Sequence, residues 1–557
     1  MASLPHRTAS ASSSTSLKHD DPEKAPSLDN GAAVTTEPAP STDGIAAATG
    51  PFAAVTRYLA NLGVETRSTE RVPEDARDEI SLPRIVKNQI FFWLSVNLSF
   101  STLATGYLGS LYYTLDFRTS MAIIWCGTAL GVAVSATMAT IGPKTGLRTM
   151  AASRFAGGWA GTTFFTLVNA LCQMCYAITC AIAGGQALKA INHDLSLTVG
   201  IVILSVLVLL LCVWGYQFLH YWERYSWPLW FLIYCILLGL GSKGNYDVHR
   251  LTPEMDSGAA LRGDVLSFFG IMFSVGSGWT SIAADYNMTL PVSTPTWVVW
   301  VSSFIGMYLP IAFTCSLSAS LLTISKPEYV AAFEEDSLGG IVGKILIGGS
   351  GGFGKFLLVL LAFSTISANV PNFYSGALCL QTVHPVLQKI PRVFFVLVFG
   401  AVVLVVAIVG QEHFSEIVSN FAAILAYYTA LFSAIVFWEI FYCTPPSLFF
   451  LPAPLTDPRP PAVRRPGGPV ERASGKPTNW DDVTNYSKLP PGLACWATIA
   501  CVIPFCVMGM AATWYIGPIA LMITKPYGGD LGFEIAAGVS IIFYPLFRHL
   551  EVAYFKR

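Results

Sequence analysis

The chain has 557 residues, of which 53% are hydrophobic and only 12% are charged, and its formal net charge is −1. Its mean hydropathy is +0.55. Soluble chains carry about 25% charged residues, so this chain lacks the polar residues needed to cover a water-facing surface. The composition excludes a soluble enzyme and predicts an integral membrane protein. A net charge near zero gives no indication of a nucleic-acid partner.

The first 86 residues are polar and rich in Ser, Thr, Pro and Ala. We predict a largely disordered cytoplasmic tail over residues 1–86, with a short helix on the cytoplasmic face from about Phe52. An apolar segment of the kind found in signal peptides is missing near Met1, so we expect no cleavable signal.

Apolar segments then recur to the end of the chain, with the length of about 20 residues that spans a bilayer core. They predict an all-α membrane protein with twelve transmembrane helices, near residues 88–112, 119–141, 159–187, 196–216, 226–242, 264–284, 296–322, 354–381, 393–410, 418–442, 492–516 and 531–550. A weaker apolar stretch at 338–349 is expected to be a re-entrant or surface helix.

The distribution of Lys and Arg predicts the orientation. With the tail in the cytoplasm, the loops on that side carry more Lys and Arg than the opposite loops, and such an excess marks the cytoplasmic side. We therefore expect both termini inside the cell.

The predicted domain organisation after the N-terminal tail is a transporter domain at 87–550, a cytoplasmic loop within that domain at 443–490, and a short C-terminal tail at 551–557.

Two of the predicted spans are interrupted by glycine and rich in hydroxyl groups. Span one reads WLSVNLSFSTLATGYLG from Trp93 to Gly109, and span six reads FSVGSGWTSIAADY from Phe273 to Tyr286. Irregular backbone at membrane depth is tolerated where it faces protein or a wet cavity, and matched interruptions in two halves indicate a transporter site. The spacing of five helices predicts two inverted repeats followed by two further helices, over about 87–242, 264–442 and 491–550. The alternative is that the small residues only allow close helix packing.

Aromatic residues lie beside these interruptions. Trp279 directly follows Gly278, and its ring can stack on a planar ligand. Tyr176, in the middle of span three, is the expected opposing plate. Free backbone groups at a break can bind a polar, uncharged ring without burying a full charge in lipid. The alternatives are that Trp279 faces lipid or another helix, and that Tyr176 packs in the core.

Span eight carries two amides around a proline. Pro371 frees a backbone carbonyl one turn earlier, and the amides of Asn369 and Asn372 offer the donors and acceptors that suit the edge of a heterocycle. The alternative for this pair is interhelical hydrogen bonding. Three hydroxyl residues earlier in the same span can line a cation site or bond to their own helix carbonyls: Ser364, Thr365 and Ser367.

Four sequence segments together resemble one transporter family. They are WLSVN…TGYLG in span one, SRFAGGW entering span three, GWTSIAADY in span six and NVPNFYS in span eight. Over roughly residues 85–550 the chain resembles the fungal purine-cytosine permease branch of the nucleobase-cation-symport-1 family. The resemblance implies twelve helices, a LeuT-type core of 5+5 inverted repeats with two C-terminal helices, and proton-coupled uptake of cytosine, purines or related heterocycles.

The resemblance also implies roles for single residues. Trp279 matches the stacking tryptophan of span six, and Asn372 matches the substrate-binding asparagine of span eight. The polar position of span one falls among three residues: Ser99, Ser101 and Thr102.

Two of the spans depart from the pattern of nucleobase carriers. Where those carriers have Trp and then Asn in span three, this chain has Tyr176 and Cys180, and where they often have a second Asn in span eight it has Ala368. Since a site that bonds a polar edge discriminates strongly, the loss of two amides favours a less polar ring compound.

The coupling ion is expected to be a proton. Sodium-coupled relatives have two adjacent hydroxyls in span eight where this chain has Ile366 and Ser367. Asp285, at the cytoplasmic end of span six, is the candidate proton carrier, and Arg154 at the mouth of span three is its expected partner in an inner gate. The alternative is an ordinary interfacial salt bridge.

The sequence therefore predicts a secondary active symporter of the plasma membrane that works by alternating access. Its expected partners are a planar heterocycle and the lipid bilayer, without nucleic acid; the oligomeric state is left open. A cofactor, a metal site and catalytic residues are not expected, because neither a nucleophile–base arrangement nor a spaced ligand set is visible. The alternatives are a carrier of vitamin B6-like or secondary-metabolite heterocycles, and a nutrient sensor that binds without transport.

Overall fold

The structure is a computed structural model that describes residues 71–192, 194–214, 222, 224–249, 258–384, 386–443 and 479–555. The predicted helix after Phe52, the rest of the tail before residue 71, most of the predicted loop 443–490 and the last two residues lie outside this set.

Helices make up most of the described chain. The α-helices are α1 Leu82–Asn97, α2 Phe100–Gly106, α3 Leu108–Leu111, α4 Phe117–Ala139, α5 Ile141–Thr145, α6 Thr149–Ala152, α7 Arg154–Lys189, α8 Leu197–Trp214, α9 Trp227–Gly241, α10 Ala259–Ser277, α11 Thr296–Leu321, α12 Pro327–Ser350, α13 Gly352–Thr382, α14 Arg392–Gly410, α15 Phe414–Val436, α16 Leu493–Gly509, α17 Ala520–Ile523 and α18 Gly532–Phe555. A π-helical turn, Phe437–Cys443, continues α15. The two short strands are β1 Ala511–Ala512 and β2 Tyr515–Ile516, paired antiparallel.

Eight helical stretches among the described residues are long and apolar enough to cross a membrane, and one of them contains both α14 and α15. Two shorter apolar helices, Leu197–Val213 and Leu493–Gly509, accompany them. The predicted weak segment at 338–349 is the second half of α12, which is broken at Asp336 and Ser337.

The interruption predicted in span one is present, but it lies at serine rather than at glycine. Helix α1 ends at Asn97. Ser99 has an extended backbone conformation, and its side chain accepts a hydrogen bond from the Ser101 N–H. Serine is a preferred N-cap because its oxygen satisfies one of the free N–H groups of the new helix. Gly106 has a different role, since a Cβ there would lie 2.1 Å from the carbonyl oxygen of Cys315 on α11.

The interruption predicted in span six is also confirmed. Helix α10 ends at Ser277, Gly278 follows as its C-cap, and the chain runs through turns to a 3-10 helix at Ala283–Tyr286.

The membrane helices form two groups. In the first group, α4 packs along α10 and α11, and α1 packs along α11. In the second group, α7 packs along α13 and α8, and α14 packs along α13 and α8. The interrupted helices belong to the first group, and their backbone contacts the second near the breaks: the Phe100 N–H donates to Ser364 Oγ of α13 at 3.0 Å, and the Ser274 carbonyl accepts the Tyr176 hydroxyl of α7 at 3.5 Å.

One end of the assembly, here named the tail face, carries residues 71–81. The N–H of Val72 donates to the Gly146 carbonyl at 2.9 Å, and the N–H of Asp78 donates to the Thr289 carbonyl at 2.9 Å. Val72 is 3% exposed. The predicted tail boundary at residue 86 is therefore wrong: α1 begins at Leu82, and the segment before it is packed onto the helix ends.

Span eleven is shorter than the prediction of 492–516, which is wrong at its C-terminal end. Helix α16 ends at Gly509, and the remaining residues form the β1–β2 hairpin. The carboxylate of Asp530 accepts hydrogen bonds from the N–H groups of Ala511, at 3.0 Å, and Gly532, at 2.8 Å. The apolar sequence of the hairpin resembles the continuation of a helix. The hairpin forms instead because the Asp530 carboxylate, distant in sequence, bonds both to Ala511 and to the start of α18.

Candidate functional site

A cavity of about 740 Å³, including its open mouth, lies between the two helix groups. Seven of the predicted substrate residues line it: Ser101, Thr102, Tyr176, Cys180, Gly278, Trp279 and Asn372. The other lining residues are Val96, Asn97, Thr105, Gln173, Thr179, Ser274, Val275, Ala368, Val418, Phe421, Ala422 and Leu425.

Trp279 is held in place by the other interrupted helix. Its indole N–H donates to Asn97 Oδ1 at 2.9 Å, and Asn97 Nδ2 donates to the Trp93 carbonyl at 2.9 Å. The Trp93 ring also packs edge-on against Trp279, with centroids 5.2 Å apart. Since its polar atom is already bonded, Trp279 offers the ligand an aromatic surface.

Tyr176 lines the cavity from α7 and packs perpendicular to Phe421, with centroids 5.0 Å apart. Its hydroxyl donates to the Ser274 carbonyl at 3.5 Å. A Cβ at Gly278 would lie 2.0 Å from this hydroxyl oxygen, so glycine is required for the ring to approach the break.

Asn372 provides the amide of α13. Its Nδ2 donates to Asn369 Oδ1 at 3.4 Å and lies 4.0 Å from the Cys180 sulfur. The Cys180 thiol in turn donates to Ser101 Oγ at 3.3 Å. Polar groups from three helices therefore meet around Asn372.

Three predicted residues lie behind the cavity wall. Ser99 caps α2 and shares a 3.0 Å hydrogen bond with Ser101 Oγ. Asn369 donates to the Ala177 carbonyl at 3.3 Å and supports Asn372. Ser367 Oγ accepts the indole N–H of Trp222 at 2.7 Å. These residues position the lining rather than form it.

The predicted ion pair between Asp285 and Arg154 is wrong. Asp285 faces Arg148, with 3.7 Å between Oδ2 and Nη1, and also accepts the Thr149 N–H at 2.9 Å. Arg154 instead lies over the Trp159 ring and donates to the Val483 carbonyl at 3.3 Å. The two arginines are six residues apart, but the short helix α6, Thr149–Ala152, lies between them, and Arg154 is the first residue of α7.

Arg148 joins the two helix groups at the tail face. Its Nη2 donates to the Tyr374 hydroxyl of α13 at 2.9 Å, and the same ring lies under the Arg392 guanidinium. Asp285 follows α10 and belongs to the first group. Burial raises the pKa of Asp285 above its ordinary value, against the opposing effects of the Arg148 guanidinium and the Thr149 amide.

The sequence interpretation missed several functional candidates. Asn97 and Gln173 line the cavity, and Arg148 donates a hydrogen bond to the Tyr374 hydroxyl at the tail face. Asn97 and Gln173 are amides within apolar spans, which is a usable signal because polar residues inside membrane helices are rare and face protein. For Arg148 the sequence carries no comparable signal.

Residues 72–438 match the family described as "Permease for cytosine/purines, uracil, thiamine, allantoin". The chain is 30% identical over 509 residues to the purine-cytosine permease FCY2 of Saccharomyces cerevisiae, covering 90% of this chain and 89% of that protein. It is 31% identical over 512 residues to the purine-cytosine permease fcyB of Emericella nidulans, covering 91% and 92%. The vitamin B6 transporter TPN1 of Saccharomyces cerevisiae is 31% identical over 497 residues, covering 84% of each chain.

Among solved structures, Mhp1, a nucleobase-cation-symport-1 transporter in a closed conformation, superposes with a TM-score of 0.61 at 12% identity. The match covers 88% of this chain and 96% of Mhp1, and it shows a shared LeuT-like fold. The chain therefore belongs to the family of membrane permeases for cytosine and purines, uracil, thiamine and allantoin, as its four sequence segments predict.

Proposed function

We propose that the protein is a proton-coupled symporter that carries a nucleobase or a related planar heterocycle by alternating access. The observation that supports this most is the cavity itself. Trp279 presents an aromatic surface on one helix group, and Tyr176 and Asn372 line the cavity from the other. Stacking surfaces and an amide are the groups that a flat, uncharged ring needs.

The fold supports alternating access. The cavity lies between two packed groups of helices, and relative rocking of such groups opens a site to one side and then to the other. The finer architecture is part of the proposal: twelve transmembrane helices in 5+5 inverted repeats with two C-terminal helices, both termini in the cytoplasm, and the plasma membrane as location. The tail face is then the cytoplasmic face.

Proton coupling is favoured by how the span-eight hydroxyls are used. Ser364 and Thr365 donate to carbonyls of their own helix, at 2.6 and 2.7 Å, and Ser367 accepts from Trp222. Ser364 Oγ also accepts the Phe100 N–H at 3.0 Å, so Ser364 and Ser367 each use a lone pair that a sodium ion would need. Asp285 is the titratable group proposed to carry the proton, and the transport cycle needs no cofactor.

Uptake of radiolabelled cytosine, adenine, hypoxanthine and pyridoxine in a permease-deficient yeast tests the proposal. We expect faster uptake at an outside pH of 5 than at 7.5, and its loss with an uncoupler. Asn372→Ala should abolish uptake without reducing the amount at the cell surface. Binding without accumulation would support a sensor instead, and uptake that ignores the proton gradient would contradict proton coupling.

A carrier of vitamin B6 is the second candidate. It is favoured by the weakly polar wall at Cys180 and Ala368, and by the 31% identity to a vitamin B6 transporter. Uptake of pyridoxine that cytosine and adenine fail to inhibit would support it.

A further inference from the structure

Gln173 carries a buried acceptor at the cavity wall. The residue lies on α7, lines the cavity and is 1% exposed. Its Oε1 has no hydrogen-bond partner among the residues that the structure describes. A buried carbonyl left without a partner is destabilising, so its presence on a residue of the cavity wall points to a ligand group as the missing partner.

The other end of this amide is fixed by a network. Gln173 Nε2 donates to Asn169 Oδ1 at 3.1 Å, and that oxygen also accepts the Ser281 hydroxyl at 2.6 Å. Asn169 Nδ2 donates to the Cys379 sulfur at 3.0 Å. The network orients the Gln173 amide with its nitrogen toward Asn169, which leaves the buried oxygen without a partner among the residues that the structure describes.

The spacing of residues along α7 shows where the Gln173 acceptor lies within the site. Gln173, Tyr176 and Cys180 are spaced by three and four residues and so share one face of α7. Gln173 precedes Cys180, the neighbour of Asn372, by seven residues, or roughly 10 Å along the helix. The cavity therefore has an amide near each end, with the Tyr176 ring between them. Ser281 follows α10, whereas Asn169 is on α7, so the network bridges the two helix groups beside this end of the cavity.

We propose that Gln173 Oε1 determines specificity by accepting a hydrogen bond from an exocyclic amine of the transported heterocycle, on the edge opposite to the one that meets Asn372. This inference rests on the proposed function and deepens it. The favoured substrates are planar heterocycles with an exocyclic amine at that edge. A site built to bond a donor discriminates against the analogue without it, because the buried acceptor is then left unpaired.

Adenine and unsubstituted purine provide the test, since they share the ring system and differ in the exocyclic amine. Their inhibition constants are measured against uptake of radiolabelled adenine. We expect the wild type to prefer adenine, and Gln173→Leu to reduce that preference by about tenfold, the range of one hydrogen bond to a buried group. If Gln173→Leu preferred adenine over purine as strongly as the wild type does, the proposal would be overturned, while the proposed transport function would remain intact.

Gln186→Leu is the matched control. Gln186 is also a buried glutamine of α7 whose Oε1 lacks a partner among the described residues, but it lies outside the cavity. Its replacement should leave the adenine preference unchanged; an equal loss there would assign the effect to helix packing and overturn the proposal.

If Gln173→Leu fails to reach the membrane, the inhibition constants of adenine and purine on the wild type still test the role of Gln173. Equal inhibition by adenine and purine would overturn the role of Gln173 without affecting the proposed transport. A wild type that neither takes up nor binds any heterocycle of the uptake panel would overturn both proposals.

Discussion

The indole N–H of Trp279 donates to Asn97 Oδ1 at 2.9 Å, and this bond joins the two interrupted helices at the cavity. It links the end of α1 to the turn after α10, so the orientation of the stacking ring depends on a residue of a different helix. A ligand that stacks on Trp279 therefore meets a ring whose position is already fixed.

We expect Asn97→Ala and Trp279→Phe to weaken substrate affinity by similar factors of about three to ten, because each removes the same hydrogen bond while an aromatic ring remains. The double variant should be little worse than either single variant, since coupled residues are not additive. Inhibition constants from uptake competition measure this. Fully additive losses would show that the bond does not position the ring.

Gly278→Ala should reduce uptake at least tenfold, because the new Cβ would lie 2.0 Å from the Tyr176 hydroxyl oxygen. Adding Tyr176→Phe removes the nearest atom and should restore part of the activity, although the ring carbon at 2.8 Å still has to move. Uptake rates normalised to surface expression provide the measurement. Failure of the second substitution to rescue the first would place the defect elsewhere in the break.

Asp285→Asn mimics the protonated carboxyl and should abolish accumulation driven by a pH gradient. Exchange of labelled for unlabelled substrate at equal pH should persist, because exchange requires no net proton movement. Counterflow in vesicles separates the two activities. Accumulation at the wild-type level by Asp285→Asn would exclude this residue as the proton carrier.

The raised pKa of Asp285 also predicts a pH dependence of stability. The folded state binds this proton more tightly than the unfolded chain, so the stabilisation is complete below the ordinary Asp pKa of about 3.9 and is lost as the pH rises through the raised value. The melting temperature of the wild type relative to Asp285→Asn should thus fall as the pH increases from about 4. A difference that is flat or rises with pH would contradict the direction of the shift.

Segment 479–489 should depend on apolar packing more than on its ion pair at the tail face. Trp480 is 7% exposed and packs edge-on against Phe155, whereas the Asp481 carboxylate that pairs with Arg71 at 2.8 Å is 63% exposed. Trp480→Ala should cost about 3 kcal/mol of local stability, and Asp481→Ala less than about 1 kcal/mol.

Protease cleavage within this segment, which follows the population of the locally opened state, measures both effects. Trp480→Phe is the conservative control and should stay close to the wild type. If Asp481→Ala increased protease cleavage more than Trp480→Ala, the segment would depend on its ion pair more than on apolar packing.

The sequence by itself determined the apolar spans, the two interruptions and the identity of the main cavity residues. These features are local: an apolar run of the right length forms a membrane helix, and the groups around Ser99 and Gly278 favour a break wherever the helix is placed. Trp279 could be recognised because it directly follows the break at Gly278, and Asn372 because a polar residue inside a membrane helix is rare and faces protein.

Only the tertiary structure decided which faces of the helices meet. Helical periodicity places Asn369 one turn from Asn372, but the packing of α7 against α13 puts Asn372 on the cavity wall and Asn369 behind it. The same holds for Arg148, which the folded chain places opposite Asp285, whereas Arg154 is directed toward Trp159. Partners more than 100 residues apart are set by the close packing of whole helices, and a local pattern carries no information about that arrangement.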